Sequence, residues 1–164
     1  MKNNVKKICF TAIFTAIIYV FTAYLHFPSH TGYTHVGDAF IYISACLLPT
    51  SYAIFAGSFG ALLADCLTGF AIWAPASVLI KGFAVLCFSS KGKIITVKNI
   101  LALLLGTVLC VGGYYLYDAI IFSSFTAALV GIPGYITQSV LSSALFIMLG
   151  ISLDKINFKK HLGE

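Results

Sequence analysis

The 164-residue sequence contains no arginine, a single tryptophan and only 9% charged residues, against 60% hydrophobic ones and a mean hydropathy of +0.99. A water-soluble domain is about one quarter charged, so this chain lacks the polar coat that folding in water requires. That scarcity excludes nucleic-acid modules, disordered tails and ordinary soluble enzymes. Also missing is the phosphate-cradling loop G-x-x-x-x-G-K-[ST]: the nearest stretch, Lys91-Gly92-Lys93, has neither the leading glycine nor the hydroxyl residue. If ATP drives transport here, another chain must hydrolyse it. The five cysteines (Cys9, Cys46, Cys66, Cys87 and Cys110) form no C-x-x-C pair, so neither a zinc site nor a disulfide framework is expected. No H-E-x-x-H and no paired carboxylates point to a membrane enzyme, although Asp65 with Lys81 keeps acid–base chemistry open.

What is present is a succession of apolar runs. They predict an all-α integral membrane protein with six transmembrane helices, forming one membrane domain over residues 1–164. The predicted spans are residues 8–25, 39–48, 52–67, 73–88, 100–121 and 134–153, set against the roughly 20 residues a crossing helix needs. The first run follows a basic start, as in a secretory leader, but is long enough to span and is read as the first helix. The stretch 26–37 reads as a polar loop with three histidines, and 122–133 as a connection with a short helical turn. Nine of the ten lysines lie before the first span, between the fourth and fifth, or after the sixth. With six spans all three groups share one side, so both termini are expected in the cytoplasm and the chain in a cell membrane, with bacterial character. No internal repeat is evident, which weakens an inverted-repeat transporter.

Ionisable residues inside spans are costly and usually face a cavity or a partner. Here the polar positions gather in the outer half: His35 and Asp38, Asp65, Trp73, Lys81, Tyr114, Tyr117, Asp118 and Gln138. They describe a pocket for a small, flat, polar molecule. Trp73, Tyr114 and Tyr117 would stack on its ring, while His35, Asp38, Lys81, Asp118 and Gln138 would bond its edges. Tyr114 and Asp118, four residues apart, share a helix face. Each aromatic alone is equally well an interfacial anchor, and Asp65 is equally well a helix cap or the ion-pair partner of Lys81. His26, His30 and His35 in a loop carry no metal-binding geometry, so no metal and no cofactor are expected. On the first span Ala12 and Ala16 form a small-x-x-x-small groove suited to close helix packing.

These residues together resemble a known family. Gly37-Asp38-Ala39-Phe40-Ile41-Tyr42, Leu47-Leu48-Pro49, Gly57 with Gly60, Leu63-Ala64-Asp65, Gly69, and Trp73-Ala74-Pro75-Ala76 through Ile80-Lys81-Gly82 are similar to the S components of energy-coupling factor (ECF) transporters. Within those, the match is to the riboflavin-type, vitamin-related branch. Tyr114-Tyr115 with Asp118, and Ile132-Pro133-Gly134 with Gln138, extend the likeness along the chain. The resemblance implies a six-helix, non-enzymatic protein that captures a micronutrient from outside. It implies docking through Ala12 and Ala16 onto a transmembrane coupling subunit joined to two ATPases, closure of the loop 26–37 over the ligand, and ATP-driven toppling that carries the ligand inward. The ligands it implies are small nitrogen heteroaromatics (pyridoxine, hydroxymethylpyrimidine or a queuosine precursor), with riboflavin ranked below them. A self-sufficient secondary transporter is the alternative, and a structural subunit is disfavoured by the polar cluster.

Overall fold

In the computed structural model, which describes residues 2–29 and 32–162, the first helix α1 (Lys2–Ala23) leads into two short strands, β1 (His26–Ser29) and β2 (Gly32–His35). Helices α2 (Asp38–Leu47) and α3 (Thr50–Leu67) follow, and a 3-10 turn (Ala71–Trp73) opens α4 (Ala74–Cys87). Then come α5 (Val97–Ile121), α6 (Phe125–Ala128), a second 3-10 turn (Leu129–Gly131), α7 (Ile132–Lys155) and α8 (Phe158–Leu162). Four helical stretches, Asn4–Ala23, Thr50–Leu67, Val97–Ile121 and Phe125–Lys155, are long and apolar enough to cross a membrane. Two apolar stretches are shorter, Asp38–Leu47 and Ala71–Cys87.

Sequence explains where these helices start and stop. Pro49, Pro75 and Pro133 sit at or next to helix starts, where the missing N–H costs nothing and the fixed φ suits the first turn. Thr96 caps α5 by accepting from the Asn99 backbone N–H at 3.2 Å. Pro49 also limits α2 to ten residues, about 15 Å of rise. Nine of those ten residues are buried, so α2 is wrapped by its neighbours. The long helices instead turn apolar side chains outward: Ile8, Ile13 and Val20 on α1, Leu101, Leu104 and Val108 on α5, Val140 and Met148 on α7. In water such faces would demand cover; a lipid solvent supplies it.

The stretch 26–37, read from sequence as a polar loop, is a correction. Its arms pair antiparallel, with His26 opposite His35 and Phe27 opposite Thr34. Two paired strands satisfy backbone groups that an open loop would leave to water. His30 lies outside the described residues.

The hairpin orders the bundle. Tyr33 on β2 bonds Asp65 near the end of α3, so α1 and α3 both run toward the hairpin and α2 runs away from it. The main lateral contacts are α1 with α3, α3 with α4, α4 with α5, α5 with α7, and α2 with α7. Gly60 permits the first of these: a Cβ there would lie 2.8 Å from the Ile18 Cγ2 and 3.1 Å from the Thr15 carbonyl oxygen. At the opposite, lysine-rich end the loop between α4 and α5 is held by side chains. The Asp154 carboxylate accepts from the Ile94 and Ile95 backbone N–H groups at 2.9 Å each. The Asn99 amide donates to the Ser89 and Ile94 carbonyls and accepts from the Ser89 N–H, and Lys159 donates to the Ser90 and Gly92 carbonyls. Irregular backbone at a membrane surface needs such partners.

Candidate ligand site

At the hairpin end the helices leave a cavity lined by Tyr33, Asp65, Phe70, Trp73, Ser77, Tyr114, Tyr135 and Gln138. It holds about 350 Å³ of empty space, counted to its open mouth. Each wall follows from helical or strand periodicity. Trp73 and Ser77 lie one turn apart at the start of α4, with Lys81 a turn deeper. Cys110, Tyr114 and Asp118 repeat at four-residue spacing near the end of α5. Tyr135 and Gln138 face inward from the first turns of α7, and Tyr33 closes the top from β2.

The walls are aromatic. Tyr114 and Tyr135 stack with centroids 5.0 Å apart and planes 19° apart. Phe70 sits between Tyr33 at 4.7 Å and Trp73 at 5.8 Å. These rings are held by two carboxylates. Asp118 accepts from the Trp73 indole N–H at 2.8 Å and from the Tyr135 hydroxyl at 2.6 Å. Asp65 accepts from the Tyr33 hydroxyl at 2.6 Å and from the Ser77 hydroxyl at 2.5 Å. Tyr114 lies 2.8 Å from the Ser77 oxygen, hydroxyl to hydroxyl. On Tyr33, burial and the adjacent carboxylate together push the phenol well above its ordinary pKa.

Below the aromatic layer lies an ion pair. Lys81 Nζ is 2.9 Å from Asp38 Oδ2, with the side chains only 3% and 1% exposed. Gln138 donates to the same oxygen at 2.9 Å, and the ammonium sits 5.1 Å from the Tyr114 ring centroid, within cation–π range. Of the two readings of Asp65, helix cap or ion-pair partner of Lys81, the second is not formed, since Lys81 pairs with Asp38. Asp38 starts α2 directly beneath the hairpin, so its carboxylate reaches Lys81 while Asp65 is engaged by two hydroxyls. Asp38 Oδ1 is buried with no hydrogen-bond partner among the described residues.

Of the residues expected to meet a ligand, Trp73, Tyr114 and Gln138 line the cavity. Asp38 and Lys81 lie one layer below it, joined to it through Gln138 and Tyr114. Asp118 is fully buried behind Trp73 and Tyr135, placed to orient rings. Tyr117 faces the outside of the bundle, its hydroxyl donating to the Ile72 carbonyl at 2.8 Å. His35 is buried beneath the hairpin, where its Nδ1 accepts from the Gly37 backbone N–H at 3.2 Å. Sequence reasoning did not place Tyr33, Phe70, Ser77 and Tyr135 in the site. The available signals were the four-residue step from Trp73 to Ser77 and the three-residue step from Tyr135 to Gln138. Ala12 and Ala16 are both exposed on α1, and Ala12 lines a groove with Ile8, Thr11, Ser51, Tyr52 and Phe55 between α1 and α3.

Burial lowers the His35 pKa from 6.5 to about 4, with Lys81 and His26 adding to that and Asp38 opposing it. Because the folded value lies below the unfolded one, the unfolded chain binds the extra proton first. The stabilisation by neutral His35 is complete above pH 6.5 and is lost as pH falls toward 4. Thermal unfolding followed at stepped pH should show stability falling by up to about 1.4 kcal/mol per pH unit across that window. His35→Gln should flatten the slope, and an unchanged slope would remove His35 as its cause.

No curated protein sequence matches the chain. The family described as "ECF-type riboflavin transporter, S component" matches residues 2–155, which takes in every helix that builds the cavity. An aromatic, carboxylate-braced pocket at one end of an apolar helical bundle, within a match of nearly the whole chain, thus leads to one assignment: the protein belongs to the ECF-type riboflavin transporter S-component family, multi-pass cell-membrane proteins that bind substrate for a transporter and are not themselves enzymes.

Proposed function

We propose that this S component captures a small nitrogen heteroaromatic micronutrient from outside the cell and passes it inward when partner subunits hydrolyse ATP. The single observation that carries the reading is the cavity itself, where Trp73, Tyr114, Tyr135 and Phe70 offer ring faces around a few polar groups. Ligand sites of this kind use aromatic walls for affinity and sparse polar groups for orientation. Among ligands of that class a one- or two-ring vitamin or precursor (pyridoxine, a hydroxymethylpyrimidine or a queuosine precursor) is ranked above the three rings of riboflavin.

Six crossings with both termini in the cytoplasm complete the proposal. Taken with the shorter α2 and α4 between them, the long helices alternate in direction about the hairpin, and the lysines other than Lys81 fall at the opposite end, as the positive-inside bias requires of a cytoplasmic face. Buried α2 counts as a crossing because it returns the chain from the hairpin to the start of α3. The hairpin, which supplies Tyr33 to the cavity, is then the outer cover that opens and closes over the ligand. The exposed Ala12 and Ala16 present α1 to a transmembrane coupling subunit, itself joined to two ATPases.

Small molecules released by denaturing the purified protein, identified by mass spectrometry, test the reading. A stoichiometric nitrogen heteroaromatic is expected; an empty, well-folded protein that binds none of a ligand panel overturns it. Trp73→Ala and Asp118→Asn should each weaken binding of that ligand by at least about tenfold with folding preserved, since one removes a ring face and the other loosens the carboxylate behind it. Unaltered affinity would return Trp73 to an interfacial anchor and Asp118 to a helix brace. The buried Lys81–Asp38 pair favours a second reading, a self-sufficient proton-coupled carrier. Uptake by this chain alone, abolished by an uncoupler, would establish that instead.

A further inference from the structure

Every side-chain hydrogen-bond donor that lines the cavity is already engaged within the protein. The Trp73 indole and the Tyr135 hydroxyl donate to Asp118. The Tyr33 and Ser77 hydroxyls donate to Asp65. Ser77 has one proton, so in its 2.8 Å contact with Tyr114 the tyrosine must be the donor. Gln138 places its amide nitrogen 2.9 Å from Asp38 Oδ2 and 3.8 Å from Cys110 Sγ. Because a carboxylate bound to Lys81 only accepts, the Gln138 amide cannot be turned around, and its carbonyl oxygen is left for the cavity.

What remains for a ligand is therefore one kind of chemistry. The Gln138 carbonyl, the second lone pairs on the Asp65 oxygens, and the lone pairs of Tyr33 and Tyr114 all accept. Asp65 receives one hydroxyl donor on each oxygen and makes no ion pair among the described residues, since Lys81 is held by Asp38. The surrounding ring faces attract positive charge as well.

Resting on the reading of the cavity as a heteroaromatic site, we propose that it selects ligands whose edge donates hydrogen bonds and carries positive charge, an amino-substituted or protonated ring, with Asp65 as the counter-charge and Gln138 as the aligning acceptor. A ring edged by carbonyl or carboxylate oxygens would face acceptors only, leaving buried polar atoms unpaired, and that mismatch discriminates more strongly than a size difference.

Matched pairs of probes test this, read by quenching of Trp73, the only tryptophan of the chain. The pairs are an aminopyrimidine and its oxo counterpart, pyridoxamine and pyridoxine, and an aminomethyl-deazaguanine and its carboxy counterpart, with riboflavin as a dioxo reference. In whichever scaffold binds, the amino member should bind at least about tenfold more tightly. Asp65→Asn should erase that preference while the oxo or carboxy member holds or gains affinity, a pattern that general loosening of the fold would not produce. Equal or tighter binding of the oxygen-edged members, or of riboflavin above every amino compound, overturns the donor-edge proposal and leaves ring capture standing. Failure of every probe, riboflavin included, overturns ring capture and this proposal with it.

Discussion

Replacing Ala12 or Ala16 with leucine is expected to abolish ligand uptake in cells carrying the complete transporter, while affinity for the ligand stays within about twofold. Both alanines are exposed on α1, in the middle of the helix, and neither lines the cavity. Beside them the hydroxyls of Thr11 and Thr15 fold back onto the carbonyls of Lys7 and Thr11 at 2.7 and 2.8 Å, so the surface between Ile8 and Phe55 carries few unsatisfied polar atoms. A partner helix can lie close along such a face only if the side chains at its line of approach are small. Leucine adds three carbons there and holds the two backbones apart, which removes the coupling without touching the pocket. Uptake and purified-protein binding must be measured on the same variants. Loss of both would assign the alanines to the fold, and loss of neither would move the docking surface elsewhere.

The second large effect is expected at Lys81. Changing it to methionine leaves the Asp38 carboxylate buried with Gln138 alone, one of its oxygens already lacking a partner. Removing one member of a buried ion pair costs about 3–5 kcal/mol because the other charge stays in low dielectric. For a chain of this length that corresponds to a fall in Tm of roughly 10 °C, readable in detergent by the Trp73 signal. Adding Asp38→Asn to Lys81→Met removes the stranded charge, and the double variant should recover more than half of the loss. A double variant no better than the single one would show that the pair does not act as a unit. Ligand affinity of the double variant answers a separate question: near-native affinity makes the pair a floor beneath the site, and lost affinity makes it a ligand contact.

Helix content, the shortness of the second apolar run and the concentration of polar residues toward one end were all legible, because each depends on positions along a helix, and periodicity reports position. Trp73, Tyr114 and Gln138 were legible for that reason. Partner choice was not. Asp38 begins α2 and Asp65 lies near the end of α3, both toward the hairpin, and only the packing of those helices against α4 decides which one meets Lys81. Tyr33 was hidden differently. Four-residue strands carrying a proline and two histidines have no apolar alternation to announce them, and Pro28 argues against a strand unless the strand is an edge. What brings Tyr33 to the cavity is its bond to Asp65, 32 residues away, a contact invisible to a window of neighbours.

The sequence by itself determined the solvent: with so few charges and such long apolar runs, lipid is the only medium in which this chain can hide its surface, and burial free energy is additive along the chain. It also determined which end holds the chemistry, since lysines and buried carboxylates segregate by position. The tertiary structure alone decided what the pocket offers. Whether a hydroxyl or an amide faces a ligand with a proton or a lone pair depends on which neighbour has taken the other half of the bond. Around this cavity Asp38, Asp65 and Asp118 accept the hydrogen bonds of Gln138, Tyr33, Ser77, Trp73 and Tyr135. That is a property of contacts between helices, set by packing, and no residue carries it alone.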